Sequence, residues 1–173
     1  MAEKYLVSAR NQFAFYKGIG DKTLSQLSDE QLFWKPNEQS NSIAIIIQHL
    51  SGNMLSRWTD FLNSDGEKDW RDRDAEFIED SLKTRVELEN EWERGWRVLY
   101  SAIDNLSDDD LEKTVFIRHE PQLVVQAINR QLAHYPYHIG QMAFIGKMLL
   151  AENWENLSIP PGHSKEYNRL KGM

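Results

Sequence analysis

The chain has 173 residues, no cysteine, and 27 acidic against 20 basic residues, for a formal net charge of −7. The missing thiols exclude disulfides, thiolate metal sites and a protein-borne sulfur nucleophile. The acid surplus argues against nucleic-acid binding, which needs cations gathered on one face. A chain of this length suits one domain, burying roughly 70% of the surface it exposes when unfolded.

With no run of about 18 apolar residues and no apolar signal core at the N-terminus, the expectation is a cytoplasmic protein without membrane contact. The first helical pattern runs from Glu3 to Leu27, with Leu6, Ala9, Phe13 and Tyr16 on one face and weak points at Gly18 and Gly20. Ser28-Asp29-Glu30-Gln31 is a capping-box pattern that starts a short helical turn, and Pro36 closes it. A second amphipathic helix is expected over Ile43 to Leu62, capped among Ser40 to Ser42.

From Ser64 to Phe77 the pattern breaks into a charged, turn-rich connection. Loops of that length are often functional, so Arg71, Arg73, Asp74 and Glu76 with Trp70 and Phe77 could line the mouth of a pocket. The plainer alternative is a solvated loop pinned by its two aromatics. A third helix follows from about Ile78 to Asn105, its buried side carrying Leu82, Val86, Trp92, Trp96, Leu99 and Ile103. Leu106 to Leu111 then echoes Leu27 to Leu32, a hint of two similar helix hairpins.

Thr114 to Ile117 alternates and is β-branched, which predicts a short extended piece, and His119 falls in the turn after it. The last long helix spans Val124 to Leu150, with Val124, Ala127, Ile128, Tyr135, Met142 and Met148 on its apolar stripe. Pro136 inside it removes one backbone donor and predicts a kink. Residues 153–173 read as an irregular tail holding His163. The sum is an all-α, four-helix bundle in a single domain, 1–173.

The chemistry concentrates on three histidines. His134 and His138 stand four residues apart beside the apolar stripe, so both imidazoles can converge on one point. His49 sits among Ile46, Leu50 and Met54, where a solvent-facing histidine would be out of place. Three imidazoles from two helices make a half-open site for a divalent transition metal, with positions left for water or substrate. The competing reading is three hydrogen-bonded core histidines with no metal. Asn53 and Arg57 lie one and two turns after His49, Arg130 one turn before His134, and Gln141 three residues after His138. Each could orient an imidazole or hold an anionic group of a ligand, and each could be a plain surface residue. No residue stands out as a general base.

The stretches NSIAIIIQHLSGNMLSRW, RDRDAEF and INRQLAHYPYHIGQ resemble a small bacterial branch, without assigned function, of the DinB/YfiT-like superfamily of metal-binding four-helix proteins. The resemblance covers Lys4 to about Glu152. It implies His49, His134 and His138 as ligands, zinc or nickel as the metal, and a homodimer. It also implies a small-molecule substrate, with a low-molecular-weight thiol as a possible co-substrate. The function expected is therefore a metal-dependent thiol S-transferase or hydrolase. The alternative is a metal-binding or ligand-binding bundle without turnover.

Overall fold

A computed structural model describes residues 2–78 and 83–172. Four long helices form the body: α1 (Ala2–Leu24), α3 (Ile43–Trp58), α4 (Arg85–Asp104) and α5 (Val124–Leu150). The short α2 (Asp29–Phe33) links the first pair, and α6 (Ser164–Leu170) lies in the tail. Around the bundle α3 packs on α4, α4 on α1, α1 on α5, and α5 back on α3. That order puts the two histidine-bearing helices side by side.

Local sequence explains most of the boundaries. Ser42 caps α3 by accepting the Ile45 N–H, and Thr84 caps α4 in a full box with Glu87. The box at Ser28 starts α2 as expected, and its echo at Ser107 also makes a capping box, with Asp110, on a 3-10 turn over Asp108–Glu112. Helix α3 ends at Trp58, short of the expected Leu62, and the chain then turns through Asp60 at φ 49°. Helix α4 begins only at Arg85, where Thr84 supplies the cap, so Ile78 is extended chain before it. Leu82 lies outside the described residues. Val86 is 65% exposed, on the outer side of the first turn of α4 and not in the core.

The core centres on Phe13, whose ring meets Trp58 at 6.3 Å, Trp96 at 6.5 Å and Tyr135 at 5.9 Å between centroids. Edge-on aromatic contacts of this kind add to the area they bury. Tyr135 is fully buried, yet its hydroxyl is satisfied: the Trp58 indole N–H donates to it at 2.9 Å, and it donates to Asn53 Oδ1 at 3.1 Å. Gly20 does not weaken α1. A Cβ there would sit 2.9 Å from Cη2 of Trp92, so the bare backbone is what lets α1 and α4 close on each other. Gly95 does the same between α4 and α3, where a Cβ would come within 3.0 Å of the Ser51 Cα.

The extended piece is real and has a partner. Strand β1 (Thr114–Ile117) pairs antiparallel with β2 (Glu120–Leu123), Ile117 facing Glu120. The two-residue turn is Arg118 and His119, both at positive φ, 57° and 64°, the conformation whose twist suits a tight hairpin. Helix α5 continues through Pro136 without interruption. Met148, expected on its apolar stripe, is 46% exposed. It shares the outer face with Tyr137 and Phe144, while Ile139 is buried instead. The tail is not wholly irregular, because α6 forms within it and Trp154 folds back under Gly146.

Replacing Phe13 with alanine removes the hub of this aromatic cluster. Urea unfolding of Phe13→Ala is expected to show a loss of about 3–5 kcal/mol, and a loss below about 1 kcal/mol would refute the central place given to that ring.

Candidate metal centre

The bundle order brings His49 of α3 beside His134 and His138 of α5. One ligand atom from each lies within 4.8 Å of the others, and the ring centroids are 5.4, 5.0 and 4.8 Å apart. The step of four residues stacks the two α5 rings, and the unbroken helix across Pro136 keeps them on one face.

Each imidazole has its Nδ1 engaged away from the centre. His49 Nδ1 meets Glu76 Oε2 at 2.8 Å, His134 Nδ1 meets Gln131 Oε1 at 3.2 Å, and His138 Nδ1 meets Gln141 Oε1 at 3.2 Å. A carboxylate and two amide oxygens can only accept, so all three Nδ1 atoms carry the proton. That fixes the tautomer and turns the Nε2 lone pairs inward.

The consequence is a pair of lone pairs facing one another, with His49 Nε2 and His134 Nε2 only 3.4 Å apart. Two acceptors at that distance repel unless a cation sits between them. Two nitrogens bound at the usual zinc distance in a tetrahedral shell stand roughly 3.3 Å apart. A single proton could bridge that pair, but a proton serves two nitrogens and leaves His138 without a role. Burial, helped by the charges of His138 and His49, pushes the His134 imidazolium down to about 3, and burial with His49 also lowers His138. Both α5 histidines are thus held as neutral donors. The donor set fits a divalent transition ion and not a hard cation.

Glu76 is the least expected member. It belongs to the connection between α3 and α4, in a 3-10 turn over Ala75–Phe77, and is 6% exposed. Arg71 grips it with two bonds, Nε to Oε1 at 2.7 Å and the terminal nitrogen to Oε2 at 2.9 Å. Burial alone would raise this carboxyl, but the hydrogen bonds from His49 and Arg71 outweigh it and hold Glu76 below the usual carboxylate range. Phe77 then lies 5.0 Å from the His49 ring, centroid to centroid. Room for the carboxylate comes from Gly52, three residues after His49 on α3. A Cβ there would overlap the Glu76 carboxylate and lie 2.8 Å from its carboxyl carbon.

The histidines open on a cavity of about 320 Å³. Arg57, Arg71, Arg73, Arg118 and Arg130 line it, with Asn53, Gln131 and Phe77. Asn53 lines the cavity and accepts a hydrogen bond from Tyr135. Arg57 holds the connecting loop through Gly66 O and the Glu67 carboxylate. Burial draws the Arg57 pKa down, Glu67 opposes it, and the buried Arg57 Nε has no hydrogen-bond partner among the described residues. Arg130 stands exposed at the rim with no described ion pair. Gln141 does orient an imidazole, and Gln131 and Glu76 do the same for the other two. The sequence offers a signal for Gln131, three residues before His134 on one helix, but none for Glu76, which is 27 residues from His49. Of the loop residues proposed for a pocket mouth, Arg71, Arg73 and Phe77 reach the cavity, whereas Trp70 is 60% exposed and Asp74 points to solvent. His119 and His163 stand apart as exposed residues.

The family model described as "Protein of unknown function (DUF1572)" matches residues 1–163. The chain belongs to the DUF1572 family. That family is part of the DinB/YfiT-like superfamily, in agreement with the resemblance read from the histidine-bearing segments. Comparison with curated proteins finds no match for this DUF1572 member.

The packing under His49 can be tested without any ligand. Gly52→Ala should destabilise the protein by about 1–3 kcal/mol, because the new methyl displaces a carboxylate that holds two partners. Gly140→Ala, also on a helix but with nothing near its Cβ, should be neutral or stabilising by up to about 1 kcal/mol. Equal effects of the two in urea denaturation would show that Gly52 is not reserved for Glu76.

Proposed function

We propose that this DUF1572 protein is metal-dependent, with His49, His134 and His138 holding one divalent transition ion through Nε2, and that it acts on a small molecule by thiol S-transfer or hydrolysis. The observation that carries the reading is the three inward lone pairs, each fixed by its own Nδ1 partner, at the floor of an open cavity. An ion held there by neutral imidazoles keeps its full charge and supplies Lewis acidity, lowering the pKa of water or a thiol toward neutrality.

The chain's own residues supply orientation and charge. Glu76 and Arg71 hold His49 at a fixed angle, and Gln131 and Gln141 do so for the α5 rings, so the nitrogen donors are set before anything binds. Phe77 covers one side of His49 and limits water there. The arginines give the cavity a positive field that favours an anionic ligand.

No Asp or Glu is among the described residues lining the cavity, and Glu76 is committed to His49 and Arg71. That favours S-transfer over hydrolysis by general-base catalysis, since a thiol bound as thiolate needs no protein base to stay ionised. The same lack of a base supports the second reading, a metal-binding bundle without turnover.

Protein purified from zinc- or nickel-supplemented medium should carry about one ion per chain by elemental analysis, and His49→Ala, His134→Ala and His138→Ala should each abolish it. Glu76→Gln should keep the stoichiometry while weakening affinity about 10–100-fold in a chelator competition. A wild-type protein that holds no stoichiometric ion under these conditions would end the reading. Turnover of epoxide, haloaromatic or ester panels with bacterial thiols or water then separates enzyme from binding module.

The bound ion should also appear as stability. Loading at 100 times the dissociation constant should add about 2.7 kcal/mol to unfolding of the wild type and nothing to His134→Ala, as followed by chemical denaturation.

A further inference from the structure

The cavity beside the histidines is cationic far beyond what the histidines need. Five of the chain's ten arginines line it, in a protein whose net charge is −7. Among the described residues two carboxylates answer them. Glu76 is shared between His49 and Arg71, and Glu67 alone faces three guanidinium groups: Arg57 at 3.1 Å, Arg118 at 3.1 Å and Arg71 at 3.7 Å. Burial would raise the Glu67 carboxyl, yet Arg57, Arg71 and Arg118 together hold it low.

Two arginines of the set have no carboxylate among the described residues. Arg73 has as its described contact the face of Phe77, 5.3 Å away, and Phe77 in turn lies against His49. Arg130 stands on α5 one turn before His134, exposed and facing the same cavity. A protein with an acid surplus has ample means to neutralise such a cluster. Among the described residues Arg73 and Arg130 stand unneutralised next to open space, which costs stability through mutual repulsion that a bound anion would relieve.

We propose that the small molecule this site receives carries an oxyanion, a carboxylate or a phosphate, and that Arg73 and Arg130 bind it at the cavity mouth. The reacting end then lies toward the three imidazoles. Arg57, Arg71 and Arg118 are occupied with Glu67 and Glu76 and serve to build the wall. The planar fork of a guanidinium matches either oxyanion with two parallel hydrogen bonds. The placement of the reacting end rests on the metal-site reading above, whereas the anion contact depends on the arginines alone.

The test uses the full chain at low salt, once freed of metal by chelation and once loaded with zinc. Calorimetric titration with malonate on both preparations, and with inorganic phosphate on the metal-free one, separates carboxylate from phosphate as the preferred group. Saturable binding by the metal-free protein is expected, weakened about tenfold or more in Arg73→Gln with Arg130→Gln and only partly restored in the lysine pair, which keeps the charge but not the fork. If the double variant unfolds, Arg130→Gln alone, at an exposed position, carries the same expectation in smaller measure. No saturable binding of either anion overturns the proposal. So does binding that appears only with zinc and is unchanged in the arginine variants, which would place the anion on the ion. A chain that takes up no metal but binds malonate or phosphate through Arg73 and Arg130 keeps this inference and discards the metal reading.

Discussion

The hydrogen bond from His49 to Glu76 ties the candidate centre to the rest of the molecule. It joins a core helix to an irregular connection, and it is made by a carboxylate that burial alone would not tolerate. Arg71 makes it tolerable, because a guanidinium with 2% of its side chain exposed supplies two further bonds and the opposite charge. Buried ion pairs of this kind are weak sources of net stability, since desolvation offsets the attraction. What they do well is specify one geometry, and here the geometry specified is the tautomer and angle of an imidazole.

From that interaction the shape of the loop follows. Arg71, Glu76 and Phe77 are drawn in against α3, while Trp70, only one residue before Arg71, is left in solvent. Arg57 and Ser56 fasten the other end of the same segment at Gly66, and Asp65 accepts the N–H groups of Arg118 and His119 at the hairpin tip. A stretch with little regular structure is thus held at both ends and in its middle. The hairpin and the α3–α4 connection meet over the open side of the histidine cluster, where a bare bundle would leave it to solvent. Loop and hairpin thereby line the cavity into which the histidines of the helices open.

The fold itself was legible because it depends on local periodicity. Hydrophobic spacing located all four long helices, and the capping box at Ser28 fixed the start of α2 to the residue, whereas α4 starts at Arg85 and not near Ile78. The departures are at ends and outer faces. Val86 and Met148 stand off the buried stripes of their helices, Val86 across the helix from the buried Leu88 and Met148 one turn after the exposed Phe144, so both face outward. The glycines of α1 looked like weak points because propensity counts what a residue lacks. Gly20 is there for what it leaves free, the path of the Trp92 ring.

Sequence alone determined that His134 and His138 share a helix face and that His49 belongs to an apolar one, because both statements concern residues within one helical turn or two. It also determined Gln141 as a neighbour of His138 for the same reason. Only tertiary structure decided that the three rings meet, since that depends on α3 and α5 being adjacent around the bundle. The roles of Glu76 and Arg71, and the gathering of five arginines from four separate segments, were likewise decided only on folding. Contacts between distant segments are set by how helices pack and how loops are tied down, and charges on those segments carry no period from which their meeting could be read.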